Sequence, residues 1–507
     1  MKLYNILATV AIAFSLTACE LDYVPHSSIT EEQSILSPVD IKRMSNGIYD
    51  NLRACSYGVH DIFADLCTED FAATLTSGNH YFGASNWTIR TSSDPEITEI
   101  WDNYYALIAK TNYLINEHTR TTYTTDADTL ILFEALGTAH LSRAWAYTKL
   151  VNYFALPYYS DKDGGTVNAD ALGLPIELTI NLKTRLPRAT VGQVYAQINA
   201  DIDSAYKYFA ELREAGVKTP QYKASSSRFN LDAVNMLRAR VKLYQGQWAE
   251  ALKAAEEVLN TGAYPLSTTQ EELEALWATD EGTEIITHLF ISADEKPLSN
   301  STYRRLLGWS GKIPIYQADF LPTIAALDLY EATDYRYDAY YSTDYLEMGD
   351  DYYTFEVFNK YPLTTEFVAS GNIAHSPILF RSAEAHLIAA EAAARLGDDA
   401  KSQAQINALR VSRGLAATTA TGTALLDIIK LERRKEFMGE GFNLIDKKRW
   451  HEGVDRTNVG GQVKPEMTPS MPSALQQKYE AGHPRFVWPI PGSEVQNNTQ
   501  AVQNPNY

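Results

Sequence analysis

The sequence predicts a mostly α-helical fold, a scaffold of paired helices with a loop-rich region packed on it. Three observations carry this reading. Apolar residues recur at helical spacing over most of the chain, two stretches read as helix–glycine–helix pairs, and from Ser267 to about Phe380 the periodicity gives way to Pro, Gly, Asp and Ser around scattered aromatics. With 507 residues and 11% aromatics, including 32 tyrosines, the chain has material for a large core and lacks the composition of a disordered one.

The first segment reads as an address, not as part of the fold. Met1 and Lys2 form a basic start, Leu3 to Leu16 a mostly apolar run, and Thr17-Ala18-Cys19 a close of small residues, which is the secretory layout. The run is shorter than the roughly 20 residues a spanning helix needs. Leu16-Thr17-Ala18-Cys19 resembles the bacterial lipobox, in which the cysteine is acylated and becomes the mature N-terminus; ordinary secretion is the alternative. The expectation is a signal peptide at 1–18, a lipid anchor at Cys19 with a tether over 19–40, and a location on the outer membrane facing outward. Glu20 and Asp22 resemble the acidic surface-routing signals of some Bacteroidetes lipoproteins.

The helices follow in order. Asp94-Pro95 fits an N-cap and first turn, after which Ile97, Trp101, Tyr104, Ile108 and Ile115 share a face. Phe133, Leu136, His140, Ala144, Tyr147, Val151 and Phe154 form a second stripe before Pro157, with His140 read as a satisfied core histidine. Thr190 and Gln193 make a capping box for a third stripe of Val194, Ile198, Ile202, Ala205 and Phe209. Leu231 to Leu259 is a helix pair hinged at Gly246, where Ala239, Ala251 and Trp248 resemble a tetratricopeptide unit, and a second pair turns at Gly397. These units are scattered, so a tandem solenoid is not expected. Glu177 to Pro187 reads as a short strand.

Charge and motif searches exclude several classes. Loss of residues 1–18 removes one Lys and no acid, moving the net charge from −19 to about −20, which disfavours nucleic acid and anionic lipid surfaces as partners. No phosphate-binding loop, dinucleotide fingerprint, zinc-protease helix, Cys-x-x-Cys pair or nucleophile elbow occurs, and the ten histidines are dispersed. No metal, cofactor or catalytic residue is therefore expected. Cys55 and Cys67 are open to a single disulfide or to none.

Aromatics among polar loop residues give the candidate site. Asn79, Tyr81, Asn86, Trp87 and Arg90 lie in a Gly/Ser-rich stretch, and Tyr303, Arg304 and Trp309 repeat the pattern. A flat ring suits the apolar face of a sugar while Asn and Arg reach its hydroxyls; packing of these rings under neighbouring helices is the competing reading. Tyr330 to Tyr353 packs eight tyrosines and seven acids into 24 residues, read as loop-to-helix packing ahead of a binding surface.

Several segments together resemble the SusD/RagB family, surface lipoproteins that work with SusC-type TonB-dependent transporters of the outer membrane. They are the lipobox, the helix from Trp101, "SRAWAYTKLVNYFALPYY", the Tyr244–Trp248 turn, "LERRKEFMGEGFNLIDKKRW", and the ending with Trp488-Pro489-Ile490-Pro491 and Gln503-Asn504-Pro505-Asn506-Tyr507. The resemblance implies four tetratricopeptide-like helix pairs as the scaffold, and a loop-rich side carrying the ligand. It divides the chain into an N-terminal helical region, 41–265, and a C-terminal region, 266–507, packed as one globular unit. It implies a non-enzymatic protein that binds an oligosaccharide or polysaccharide and passes it to a SusC-like transporter. Peptide capture is the alternative within the family, and glycoside hydrolysis a more distant one. By position alone, the ligand residues fall in the Asn79–Arg90 and Tyr303–Trp309 loops.

Overall fold

The computed structural model describes residues 35–74, 80–85, 87, 94–180, 185–216, 226–279, 282–292, 302–311, 313–348, 351–363, 375–457 and 478–507. The signal segment, Cys19, Asn79, Asn86 and Arg90 lie outside the described residues.

Local capping signals start the N-terminal helices. Ser37 and Asp40 form a reciprocal box at α1 (Pro38–Ala54), so with buried Ile35 the last residues of the expected tether join the folded body. After α2 (Val59–Leu66) and α3 (Pro95–Glu117), Thr125 with Asp128 caps α4 (Asp126–Phe154), and Thr190 with Gln193 caps α5 (Val191–Glu214). The expected stripes of α3 and α5 point inward: Ile97, Trp101, Tyr104, Ile108, Val194, Ile198, Ile202, Ala205 and Phe209 are all buried. Helix α4 lies between α3 and α5 and is buried on nearly every face from Ala135 onward. Its polar groups are matched accordingly: Arg143 grips Asp201 with two hydrogen bonds of 2.9 and 2.6 Å, and His140 Nδ1 lies 2.7 Å from the same carboxylate.

Helices α6 (Leu231–Tyr244) and α7 (Trp248–Leu259) reverse at Gly246, and α8 (Ser382–Arg395) and α9 (Asp399–Ser412) at Gly397. Gly246 has φ +69° and an added Cβ would lie 2.7 Å from the Tyr159 ring, so glycine is required twice over. Helix α8 packs on α7, making the two pairs neighbours in space although far apart in sequence. Helices α10 (Gly422–Glu436) and α11 (Asn443–Trp450) complete this half.

A buried ionic cluster locks the C-terminal elements. Glu436 accepts from Arg381 (2.5 Å), Arg413 (2.8 Å) and Arg336 (3.3 Å), while Glu432 accepts from Arg336 and Arg410. Burial alone would raise the Glu436 carboxyl, but Arg413, Arg381 and Arg336 together hold it well below the usual range.

Between the halves the structure contains more sheet than the sequence suggests. Strands β3 (Arg304–Ser310), β4 (Ile313–Ala318), β6 (Tyr341–Met348) and β7 (Asp351–Phe358) form one sheet in the order β3-β4-β6-β7, with β4 and β6 parallel. Two smaller antiparallel pairs join β1 (Phe71–Ala73) to β5 (Phe320–Pro322), and β2 (Ile285–His288) to β8 (Ile378–Arg381). The tyrosine-rich 330–353 stretch therefore ends in a strand, not only in loop packing. No strand forms among the described residues of 177–187, because side chains take its backbone: the Glu177 carbonyl accepts from Asn112 and Tyr147, and the Leu178 carbonyl from Asn116. Cys55 and Cys67 are buried free thiols, which closes the disulfide question. No helix among the described residues is long and apolar enough to cross a membrane.

Candidate functional site

The described candidates divide into interior and surface groups. Trp87 is the clearest interior case, at 3% exposure. Its ring stacks on Tyr479 at 3.9 Å, meets Phe486 edge-on at 5.0 Å, and donates from Nε1 to the Cys67 carbonyl at 3.0 Å. Its backbone is left-handed, with φ 56°, and its carbonyl accepts from Arg485. With its faces covered, Trp87 shapes the loop from beneath and is not an open platform.

Tyr81 and Tyr303 are corrected in the same direction. Tyr81 is sandwiched near Phe63 and Phe320, the latter stacked at 5.8 Å. Tyr303 packs against Phe71 and Phe358 at 4.5 and 4.7 Å, and its hydroxyl donates to Asp65 Oδ2 at 2.8 Å. Burial lifts the Asp65 carboxyl well above its ordinary value, against the pull of Tyr303 and of the Gly441 N–H at 3.1 Å. Arg304 is interior too, paired with Asp344, bonded to Asn359, and 4.4 Å over the Tyr316 ring. These contacts fix the start of β3.

The far end of β3 reaches the surface. Trp309 is 47% exposed and pairs with Pro314, beyond a register break between Leu306 and Gly308. On β6 and β7, Tyr345 and Tyr352 are 52% and 44% exposed and stack at 5.2 Å with their planes 7° apart. Register separates these two features. Leu346 and Phe355 face the small core beneath the sheet, so Tyr345 faces outward, whereas Trp309 shares the parity of Pro314 and buried Tyr316. Of the described candidates Trp309 is the exposed one, while the exposed Tyr345–Tyr352 pair falls in the stretch read as packing residues.

The clefts lined by Asp61 hold about 50 and 20 Å³, space for a few waters. Among the described residues no group of three His, Cys, Asp or Glu side chains is arranged to hold a metal ion.

Comparison with known proteins places this architecture. Residues 319–507 match the SusD family model, and residues 21–241 match a model described as starch-binding associating with outer membrane. A SusD-like protein P38 from Formosa agariphila is 24% identical over 567 aligned positions, covering all of both chains. Among solved structures, a SusD superfamily protein from Bacteroides thetaiotaomicron superposes with a TM-score of 0.75 at 23% identity, over 93% of this chain and 100% of that one. A laminarin binding SusD-like protein superposes with a TM-score of 0.64 at 21% identity, over 93% and 100%.

Proposed function

Because this chain belongs to the SusD/RagB family, we propose that it is a cell-surface lipoprotein, anchored at Cys19, that captures a nutrient glycan and passes it to a SusC-like TonB-dependent transporter. No bond is broken in this role. The match of its N-terminal half to a starch-binding model and its likeness in fold to a laminarin binding protein support a carbohydrate ligand.

The observation that carries the reading is Trp309, a half-exposed indole at the surface end of a strand whose other end is held by the interior bonds of Tyr303 and Arg304. A ring on a fixed strand stacks on a sugar with little loss of freedom. A single such platform with a few polar contacts gives a Kd between about 1 mM and 1 μM, or about −4 to −8 kcal/mol, which suits handover. Asn79, Asn86 and Arg90 belong to the same proposal as polar contacts.

Titration calorimetry of the chain from Glu20 onward tests this, with starch, laminarin, a uronate-containing polysaccharide and a peptide mixture as titrants. Saturable heat with a glycan, lost in Trp309→Ala, is expected. Heat from peptides alone would move the protein to peptide capture, a reading favoured by strand β3 lying at an edge of its sheet, where an extended peptide adds a strand. Sustained release of reducing ends would overturn the binding-only role.

A further inference from the structure

A cavity lies between the end of α4, the 160–172 segment, the end of α11 and the C-terminal tail, and its wall residues Phe486 and His483 touch Trp87. It holds about 420 Å³, against about 50 Å³ for the cleft beside Trp277, and falls in the range of small-molecule sites. Its walls are largely apolar, with Leu156, Leu172, Phe486 and Val487 among them. Leu156 and Leu172 are among the exposed large hydrophobics of the protein, so the cavity wall is wetted rather than sealed.

Basic side chains outnumber acidic ones on this wall. In a chain of net charge −19, four bases, Lys162, Lys448, His451 and His483, line the cavity. The acid lining it, Glu452, is taken by Lys430 at 2.8 Å. Lys448 is buried and donates to the carbonyls of Asn152 and Ala155 at the end of α4, with no carboxylate among its bonds. That position favours a cation through the exposed carbonyl ends of the helix, yet leaves an ammonium in an apolar wall with no anion beside it. Burial accordingly pulls its pKa down to about 7. His451 is held at the end of α11 in a left-handed conformation, φ 53°.

We propose that this cavity is a second ligand site, which takes a small amphipathic carboxylate, its apolar body against Leu156, Leu172 and Phe486 and its carboxylate at Lys448 and His451. An apolar wall with one convergent cationic corner selects such a ligand over a glycan, whose many hydroxyls would find few partners here. A carboxylate reaching Lys448 would form a charge-assisted bond in a low-dielectric setting, where such bonds are strongest. The site is independent of the glycan reading.

Calorimetry with 3-phenylpropionate, and with its neutral amide as control, tests the proposal on the full chain from Glu20 onward. The acid is expected to bind saturably and the amide at least about tenfold more weakly, as the loss of one charged hydrogen bond requires. Lys448→Met should remove that discrimination, and Leu172→Trp should fill the cavity and abolish binding while leaving glycan titrations unchanged. Equal binding of acid and amide, or no heat from the acid with a protein that still melts cooperatively, overturns it. If Lys448→Met does not fold, the acid–amide pair and Leu172→Trp decide.

Discussion

Two tryptophans that look alike in the sequence have opposite roles in the structure. Trp87 is enclosed by Tyr479, Phe486 and the Cys67 carbonyl, so Trp87→Ala should cost roughly 3–5 kcal/mol of stability. Trp309→Ala removes a half-exposed ring and should change stability by no more than about 0.5 kcal/mol, while abolishing glycan heat. Urea denaturation of both variants beside the glycan titrations checks the pair; the reverse pattern would exchange their roles. A third residue, Glu391, governs acid sensitivity. Burial raises its carboxyl, but bidentate Arg449, at 2.5 and 2.7 Å, and Arg395 and Arg433 bring it down to about 2 from an ordinary 4.5. A folded pKa below the unfolded one stabilises at pH above about 4.5, and that stability is lost as pH falls towards about 2. Glu391→Gln should therefore destabilise at pH 7 by about 3 kcal/mol, since it removes the carboxylate that Arg449 grips with two bonds and leaves that guanidinium with Asp446 alone. The gap to the wild type should narrow below pH 4.5; a gap constant with pH would show that the ion pair is not what Glu391 contributes.

At the scale of elements, helices were legible where one face is apolar and the ends carry caps. The stripes of α3 and α5 and the turn glycines at 246 and 397 lie in their expected places because the information is local: spacing, cap and left-handed turn. The β6–β7 hairpin was not legible, since tyrosines stand on both of its faces: Tyr345 and Tyr352 outward, and Tyr353, half-buried, on the face of Leu346 and Phe355. Aromatic alternation, the usual signal for a strand, is thereby erased. The burial of Trp87 was hidden for a different reason, as Arg485, which binds its carbonyl, is 398 positions downstream. The hinge glycine supplies the test at this scale. Gly246→Ala places a Cβ at 2.7 Å from the Tyr159 ring in a left-handed residue, and should cost more than the roughly 1 kcal/mol of the backbone penalty alone. Pairing it with Tyr159→Ala in a double-mutant cycle separates the steric part, which the second change relieves, from the backbone part, which it does not.

Across the whole molecule, the C-terminal tail bonds to the N-terminal helical region. Trp488 is fully buried, stacks on Tyr153 of α4 at 4.4 Å, and donates its backbone N–H to the Tyr153 carbonyl. Asn504 then donates to the Phe154 and Trp488 carbonyls at 2.9 and 2.7 Å and accepts from Arg188 at 2.8 Å. Arg188 also donates to the carbonyls of Gly173, Leu172, Phe154 and Val502, so one guanidinium gathers the end of α4, the 172–173 segment and the tail. This is the physical content of the Trp-Pro-Ile-Pro and Gln-Asn-Pro-Asn-Tyr ending: polar side chains satisfy carbonyls of loops and of the last turn of α4. Asn504→Ala takes away the side chain that bonds the Trp488 carbonyl and weakens the bonding of the Phe154 carbonyl and Arg188, which keep one another, at about 1–3 kcal/mol for the group left unmatched. Because the tail bonds to the N-terminal half, scanning calorimetry should show one transition in both proteins, shifted to lower temperature in the variant, with calorimetric and van't Hoff enthalpies agreeing. A second transition that stays in place while the first moves would mean that the helical halves fold separately, and that Arg188 and Asn504 join two bodies instead of closing one.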